Sequence, residues 1–449
     1  MDSRKLADLR RLDAAHFLHP FTDHADLHRS GTHVMQSASG SHVVDETGQR
    51  LLDGLAGLWC VNVGYGRREI ADAVHRQMLD LSFYPSFFNT TTEPTILLAD
   101  RIASHAPRGL GRVFFSNSGS EANESALKLV RGYHKVVGRP RKTKILTRTF
   151  SYHGVCIATT SMTGLPSCYE PFDLPLPGFV HVPGPHPYGV ASTMSADDYG
   201  RWCLEETARI IEREGADTIA AFFAEPVQGA GGVIVPPAGH LKQLRELCRR
   251  HDILFVADEV ITGFGRLGAW FASDLWDLEP DLITMAKGIT SGYVPLGATM
   301  ASDAIADALS KAGYLAHGFT YSGHPVATAA ALANLTILEN EKLIERTRDV
   351  TGPHFQRRLR ALASHPAAGE VRGEALIGAI ELLPKGGRAA LSTPPVLGAK
   401  AAAWAREEGV IVRGIRDLIA IAPPLVITAE EIDFLFDAVE RVLDRVAAS

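Results

Sequence analysis

Two nearly unbroken apolar runs, Ile253-Leu-Phe-Val-Ala-Asp258 and Asp281-Leu-Ile-Thr-Met-Ala-Lys287, constrain this chain more than any other feature. They are apolar at successive rather than alternate positions and are bounded by turn residues. Runs of that kind are strands buried on both faces, as in a parallel sheet. The first ends in a carboxylate and the second, 29 positions on, in an amine. Strands running the same way through one sheet bring both groups to one edge, where open α/β sheets bind ligands. Alone, the two residues read as a helix-capping aspartate and a surface lysine. Together they are an acid and an amine at a ligand edge.

At 449 residues the chain exceeds the ~100–200 of one ordinary domain, which predicts two domains or one enlarged one. The net charge of −6 argues against a nucleic-acid surface, and the one short basic run, Arg139-Pro-Arg-Lys-Thr-Lys144, reads as a solvated loop before a strand. No apolar stretch reaches the ~18–20 residues of a membrane span, and the first ten residues mix both charges, unlike a signal peptide. Cys60, Cys156, Cys168, Cys203 and Cys248 are scattered and odd in number, so reduced core thiols of a cytoplasmic protein are expected. His24 and His28 share helical spacing in a polar N-terminal arm, where a solvated face is expected rather than a metal site.

From about residue 70 to 323 strand and helix patterns alternate. Strands are expected at Arg112–Ser116, Lys144–Thr147, Ile219–Glu225, Ile253–Asp258 and Leu282–Met285, and helices at Glu121–Val137, Asp197–Glu214 and His240–His251. This predicts an α/β fold with a doubly wound, mostly parallel sheet. Before it, residues 40–53 alternate around Glu46-Thr-Gly48, a hairpin pattern. After Pro325 come a long Ala/Leu-rich helix, strands near Val371 and Gly409–Arg413, and an amphipathic helix Ala429–Val446. The expected division is an arm and joining segment over 1–69, a large domain over 70–323 and a smaller α+β domain over 324–449.

Three further segments carry chemistry. In Phe114-Phe-Ser-Asn-Ser118-Gly119-Ser120 a strand meets a helix start, whose amides and dipole suit a phosphate; a plain serine cap is the other reading. Tyr152, in Ser151-Tyr-His153-Gly, could stack on a flat cofactor or be an ordinary surface tyrosine. Gly263-Phe-Gly265-Arg-Leu-Gly268 fits a dinucleotide fingerprint in spacing only, because no helix follows directly and the next strand leads to Lys287. A lysine amine beside a carboxylate able to hold a protonated ring nitrogen is instead the pair that pyridoxal phosphate requires.

The stretch Phe255–Gly268, twelve intervening residues, and Asp281–Gly292 together resemble the signature of class III aminotransferases, enzymes of pyridoxal phosphate fold type I. The resemblance spans nearly the whole chain, from Gly54-Leu-Ala-Gly-Leu-Trp59 to Ala422-Pro-Pro-Leu-Val. It is greatest to the ω-amino acid (amine):pyruvate subgroup, through Trp59–Gly64, Tyr152–Gly154 and Gly318–Pro325. It implies a seven-stranded, mostly parallel sheet and a smaller domain built from the N-terminal segment and the C-terminus. Pyridoxal phosphate is the implied cofactor, with amine and α-keto acid substrates and a homodimer, or a tetramer, that shares its active sites.

Carried over residue by residue, the resemblance makes Lys287 the covalent anchor and proton shuttle. Asp258 would face the ring nitrogen, and Gly119 and Ser120 the phosphate. Tyr152, His153, Glu225 and Ile261 would surround the ring, and Phe319 and Thr320 would reach the phosphate of the neighbouring subunit. Trp59, Phe21, Phe87 and Phe88 would wall an apolar pocket. In the ornithine and γ-aminobutyrate members a glutamate follows the Glu-Pro-x-Gln motif and masks a C-terminal arginine; here that position is Ala230. Arg413 is the matching arginine and would be free to bind a substrate carboxylate, with Arg416 three residues away as the alternative and a surface arginine as the plain reading. An aminomutase or decarboxylase of the same fold, and a non-catalytic protein of that fold, are the competing readings.

Overall fold

The computed structural model describes residues 1–186, 194–392 and 396–449. Helices Ser3–His16 and His24–Ser30 bury no residue, as expected of a polar arm. Three short strands follow, β1 (Ser37–Ser39), β2 (His42–Val44) and β3 (Arg50–Asp53). β2 and β3 form the expected hairpin, and Asp45 closes its turn by accepting from the Thr47 and Gln49 amides at 2.9 and 3.1 Å.

The central sheet has seven strands: β4 (Leu110–Ser116), β5 (Lys144–Arg148), β6 (Phe179–Val182), β7 (Ile219–Ala224), β8 (Leu254–Asp258), β9 (Leu282–Met285) and β10 (Gly297–Ser302). Their spatial order is β4-β10-β9-β8-β7-β5-β6. Pairing is parallel from β6 through β9, and β10 runs antiparallel between β9 and β4. β7 and β9 are buried at every residue, which explains their unbroken apolar sequences. β10 is not foreseen because Gly297-Ala-Thr-Met-Ala-Ser holds little apolar bulk. Its small side chains let helix Gly119–Val136 lie close, and Thr299 Oγ1 donates to Ala122 O at 2.6 Å.

In the C-terminal part, β11 (Ala368–Glu374), β12 (Ile377–Leu382), β14 (Arg413–Ile415) and β15 (Leu418–Ile421) form an antiparallel sheet in the order β11-β12-β15-β14. Strand β13 (Val410–Ile411) pairs in parallel with β3, so one small sheet takes strands from both ends of the chain. Helix Ala429–Ala448 starts at a Thr428/Glu431 capping box and buries Leu435, Phe436, Val439 and Val442. Phe436 meets Phe355 edge-on at 4.9 Å. Among the described residues no helix is long and apolar enough to cross a membrane.

Two sequence expectations are corrected. The basic run at 139–144 is exposed at residues 139–141 and 143, but Lys142 is buried and its ammonium donates to the carbonyls of Ala216, Ile219, His251 and Asp252 at 3.0–3.3 Å. Arg139 and Lys144 pair with Asp252 and Glu214 at 3.3 and 2.9 Å. The thiols are not all core residues either, since Cys203 and Cys248 are buried but Cys60, Cys156 and Cys168 are half-buried.

Loop Gly263–Gly268, which mimics a dinucleotide fingerprint, is a structural knot. Arg266 is fully buried within it and donates to Asn62 Oδ1 at 2.9 Å, to Leu376 O at 3.2 Å and to Pro423 O. It therefore ties the carboxyl side of β8 to both chain ends. Glu259 secures the same loop from behind. Its carboxylate accepts from Thr262 Oγ1 at 2.5 Å, the Ala272 amide at 2.9 Å, and the Ser273 amide and hydroxyl at 2.7 Å each. Asp258 and Glu259 are neighbours in sequence with separate hydrogen-bond partners. A buried donor stripped of its acceptor costs roughly 1–3 kcal/mol, so Glu259→Ala is expected to lower unfolding free energy by on the order of 3 kcal/mol. Urea unfolding of the variant checks this, and an unshifted midpoint would mean that the loop is held by other contacts.

Candidate active site

Asp258 is the last residue of β8, and its register partner on β9 is Thr284, three residues before Lys287. The carboxylate is buried and held by donors from three elements. Oδ2 accepts from Asn123 Nδ2 at 2.7 Å and is 2.8 Å from His153 Nδ1; Oδ1 accepts from the Val260 amide at 3.1 Å. Asn123, on helix Gly119–Val136, also donates to His153 O at 2.9 Å and accepts from Thr284 Oγ1 at 2.9 Å. Sequence reading missed Asn123. The available signal is a polar side chain one helical turn beyond Gly119, on the face that the small residues Ala122 and Ala126 mark as packed.

Lys287 follows β9 with φ of +46°, a left-handed conformation that turns the chain sharply back at the sheet edge. Burial holds its ammonium below the ordinary lysine range, and Arg413 adds to the effect; Cys60, Asp258 and Glu225 oppose it without prevailing. Burial and the carboxylates thus act in opposite directions, and desolvation wins.

Glu225 lies just past β7, with its Oε1 accepting from the Tyr152 amide at 2.8 Å and its Oε2 from the Gly229 amide at 2.9 Å. Its backbone carbonyl accepts from the buried Arg148. Burial lifts the Glu225 carboxyl to about 7, with Asp258 adding to the rise and His153 and the two amides resisting it. Tyr152 is half-buried, its phenol pushed up to about 12 by burial, and its ring meets Phe21 edge-on at 6.5 Å.

The expected helix start is formed. Ser118 caps helix Gly119–Val136, its Oγ accepting from the Glu121 amide at 3.2 Å. The first-turn amides of Gly119 and Ser120 are among those a helix leaves without intrahelical acceptors. A Cβ on Gly119 would come within 3.0 Å of Val260 Cγ1 and 3.6 Å of Ala286 Cβ, so this helix end is packed closely against the turns after β8 and β9.

The two C-terminal arginines have different surroundings. Arg413 lays its guanidinium 5.1 Å from the Trp59 ring and interacts electrostatically with Tyr152 and Cys168. Arg416 donates to Gly231 O at 2.8 Å and lies 5.2 Å from the Phe150 ring. Trp59 is buried in one apolar cluster with Ile261 and Val233, Ala230 is half-buried, and Phe21 is largely exposed. Phe87 packs on Gly318, where a Cβ would touch its ring, and Phe88 is 84% exposed. In the same turn Phe319 donates its amide to Ser322 Oγ at 3.1 Å and Thr320 is exposed. Among the described residues no side-chain hydrogen bond or ring contact joins Phe87, Phe319 or Thr320 to Lys287, Asp258 or Tyr152.

The Aminotransferase class-III family matches residues 26–443. A putrescine–pyruvate aminotransferase from Pseudomonas aeruginosa is 44% identical over 445 residues, covering 99% of this chain and 98% of its own. Among solved structures, a thermostable (S)-enantioselective omega-transaminase from Thermomicrobium roseum superposes with a TM-score of 0.94 at 43% identity, over 98% of each chain. The omega-transaminase from Pseudomonas jessenii in complex with PMP gives a TM-score of 0.94 at 38% identity, again over 98% of each chain.

The Glu225 environment predicts a pH dependence. A carboxyl whose folded pKa is raised to about 7 from 4.5 contributes stability that is present below about pH 4.5 and lost as pH rises through about 7. Between pH 5 and 8 the wild type is expected to lose up to about 3 kcal/mol relative to Glu225→Gln, for which this proton is absent. Denaturant unfolding of both proteins across that range measures it; parallel curves would show that Glu225 is ionised throughout.

Proposed function

Because the chain belongs to the class III aminotransferase family, we propose that it moves amino groups from ω-amines or ω-amino acids to pyruvate or a similar α-keto acid, with pyridoxal phosphate as cofactor. The observation that carries this is the pairing of Asp258 and Lys287 at the carboxyl ends of adjacent parallel strands, within electrostatic reach of each other. The residues present fit the group. Asp258 offers a fixed carboxylate to a ring nitrogen, the Gly119 helix end offers amides to a phosphate, and Lys287 is an amine discouraged from charging.

When bound, pyridoxal phosphate supplies the electron-accepting ring that acidifies the carbon bearing the amine. Asp258 keeps the ring nitrogen protonated, and Asn123 and His153 hold Asp258 in place. Lys287 anchors the cofactor and carries the proton at Nζ; its lowered pKa favours the neutral base that this task needs. Gly119 and Ser120 bind the phosphate, and Tyr152 and Ile261 flank the ring. Glu225 fixes Tyr152 through its amide. Trp59, Phe21 and Phe87, with Ala230, bound the apolar side of the pocket. Arg413 recognises a carboxylate when the acceptor brings one and rests on Trp59 otherwise.

The site is completed by a second copy of the chain. The partner subunit's Thr320 and the partner subunit's Phe319 reach the phosphate, in keeping with the large apolar side chains exposed near this turn: Phe88, Ile96, Leu97 and Tyr321. In this reading residues 70–323 bind the cofactor, and residues 1–69 and 324–449 close over it. Its compartment is the cytoplasm, where five free thiols stay reduced.

Lys287→Ala is expected to abolish transfer from every donor of an amine panel assayed with pyruvate. Mixed dimers of Lys287→Ala with Thr320→Ala should recover activity, because both lesions fall in one site and leave the other whole. Inactive mixed dimers, with subunit exchange verified, would refute the shared site; residual activity in Lys287→Ala homodimers above a tenth of wild type would refute the lysine's role.

Arg413→Ala should raise the pyruvate KM roughly ten- to a hundredfold, the loss of a charge-assisted contact of about 1.5–3 kcal/mol. The half-reaction with an amine that lacks a carboxylate should stay near normal. Equal losses in both half-reactions would identify Arg413 as structural instead.

A further inference from the structure

Past β7 the chain makes the loop Gly229-Ala230-Gly231-Gly232-Val233, and its carbonyls are taken by two arginines of the C-terminal sheet. Arg372, on β11, donates from Nε and Nη2 to Gly232 O at 2.9 and 2.6 Å and from Nε to Val233 O at 3.2 Å. Arg416, in the turn between β14 and β15, donates to Gly231 O at 2.8 Å. Glu381, on β12, accepts at 2.7 Å from the same Arg372 Nη2 that donates to Gly232 O, and so helps to fix the guanidinium.

The loop has no slack. A Cβ on Gly231 would run into Phe150 O and one on Gly229 into Ile261 Cδ1; one on Gly232 would sit 2.8 Å from Leu418 Cδ2 and 3.1 Å from Arg372 Nη2. On its other side the loop is continuous with the site. The Gly229 amide bonds to the Glu225 carboxylate that also holds Tyr152, and Val233 shares the apolar cluster of Trp59 and Ile261. A displacement of Gly231 and Gly232 therefore moves Ala230 and the backing of Trp59 together.

We propose that Arg372 and Arg416 are positioning residues that clamp the Gly229–Val233 loop and thereby set how strictly the site discriminates slender from bulky amine donors. This rests on the amine-to-keto-acid transfer proposed above. Neither arginine touches the reacting atoms. Each acts through a glycine carbonyl, and the glycines transmit the position because no side chain can intervene between them and Phe150, Ile261 or Leu418.

The experiment compares wild type with Arg416→Met, Arg372→Met and the corresponding lysine substitutions. It reads kcat/KM for n-butylamine and for 1-phenylethylamine with pyruvate as acceptor, and the amide hydrogen exchange of Gly232 and Val233 in the cofactor-free protein. Each methionine variant should shift the ratio of the two specificity constants toward 1-phenylethylamine by roughly three- to tenfold, through KM more than kcat, and should speed exchange at both amides. The lysine variants, which keep a cationic donor, should fall between. An unchanged ratio in a folded variant, or unchanged exchange, overturns the proposal, even if the melting temperature falls. Wild-type turnover of neither amine would defeat the transferase reading instead, and the exchange data would still decide whether the arginines clamp the loop.

Discussion

The site depends first on one buried carboxylate. Asp258 ends a strand that is buried at every residue after Leu254, so its charge must be compensated by donors brought to it. Among the described residues no lysine or arginine bonds to it; its partners are Asn123, His153 and the Val260 amide. Asn123 comes from the helix that begins at Gly119, His153 from the loop that carries Tyr152, and Val260 from the turn that Glu259 and Arg266 secure. The same group thus fixes the relative placement of helix start, aromatic loop and strand edge. Neither a lysine nor an arginine is among these donors.

Charge at this edge is arranged so that burial outweighs pairing. Glu225 and Lys287 are opposite in sign and near one another, yet both are driven toward neutrality, the acid upward to about 7 and the amine downward. In a solvated ion pair the shifts would run the other way. Arg413 fits this pattern. Among the described residues it has aromatic company in Trp59 rather than a fixed acid. An arginine on an aromatic face keeps part of its stabilisation while its donors remain open to a planar anion.

The parallel strands β5, β7, β8 and β9 were legible because strands buried on both faces are nearly continuous in apolar residues, whereas the parallel edge strand β6, Phe179-Val-His-Val, is only partly buried and was not foreseen. The antiparallel β10 was hidden because its fit depends on small side chains against Ala122, a tertiary requirement that leaves no periodicity. The short strands β12 and β15 escaped for a related reason, since apolar runs of four to six residues inside a C-terminal region rich in helix formers resemble buried helix segments. Asp258, Lys287, Tyr152 and Gly119 stand out in the sequence because a motif brackets each of them. Asn123 was not, since its importance comes from contacts with residues 30 and 135 positions away. Lys142 shows the same limit in reverse: a basic run reads as solvated until the fold wraps four carbonyls around one amine.

Lys142 also clarifies what the arginines at the opposite edge do. Both ends of the central sheet use a cation to gather backbone carbonyls, but the carbonyls differ. Lys142 collects those of Ala216, Ile219, His251 and Asp252, at the amino ends of β7 and β8, where strands enter the sheet and no ligand approaches. Those contacts tie the entries of the two strands together. Arg372 and Arg416 collect carbonyls just after β7 leaves the sheet, on the edge that carries Glu225, Asp258 and Lys287. They also come from a different sheet, so any movement of the C-terminal sheet relative to the central one is delivered to the Ala230 loop. An arginine suits that task better than a lysine, because its planar fork bonds the loop and Glu381 in one fixed geometry. The same chemistry therefore supports the fold at one edge and couples the fold to the site at the other.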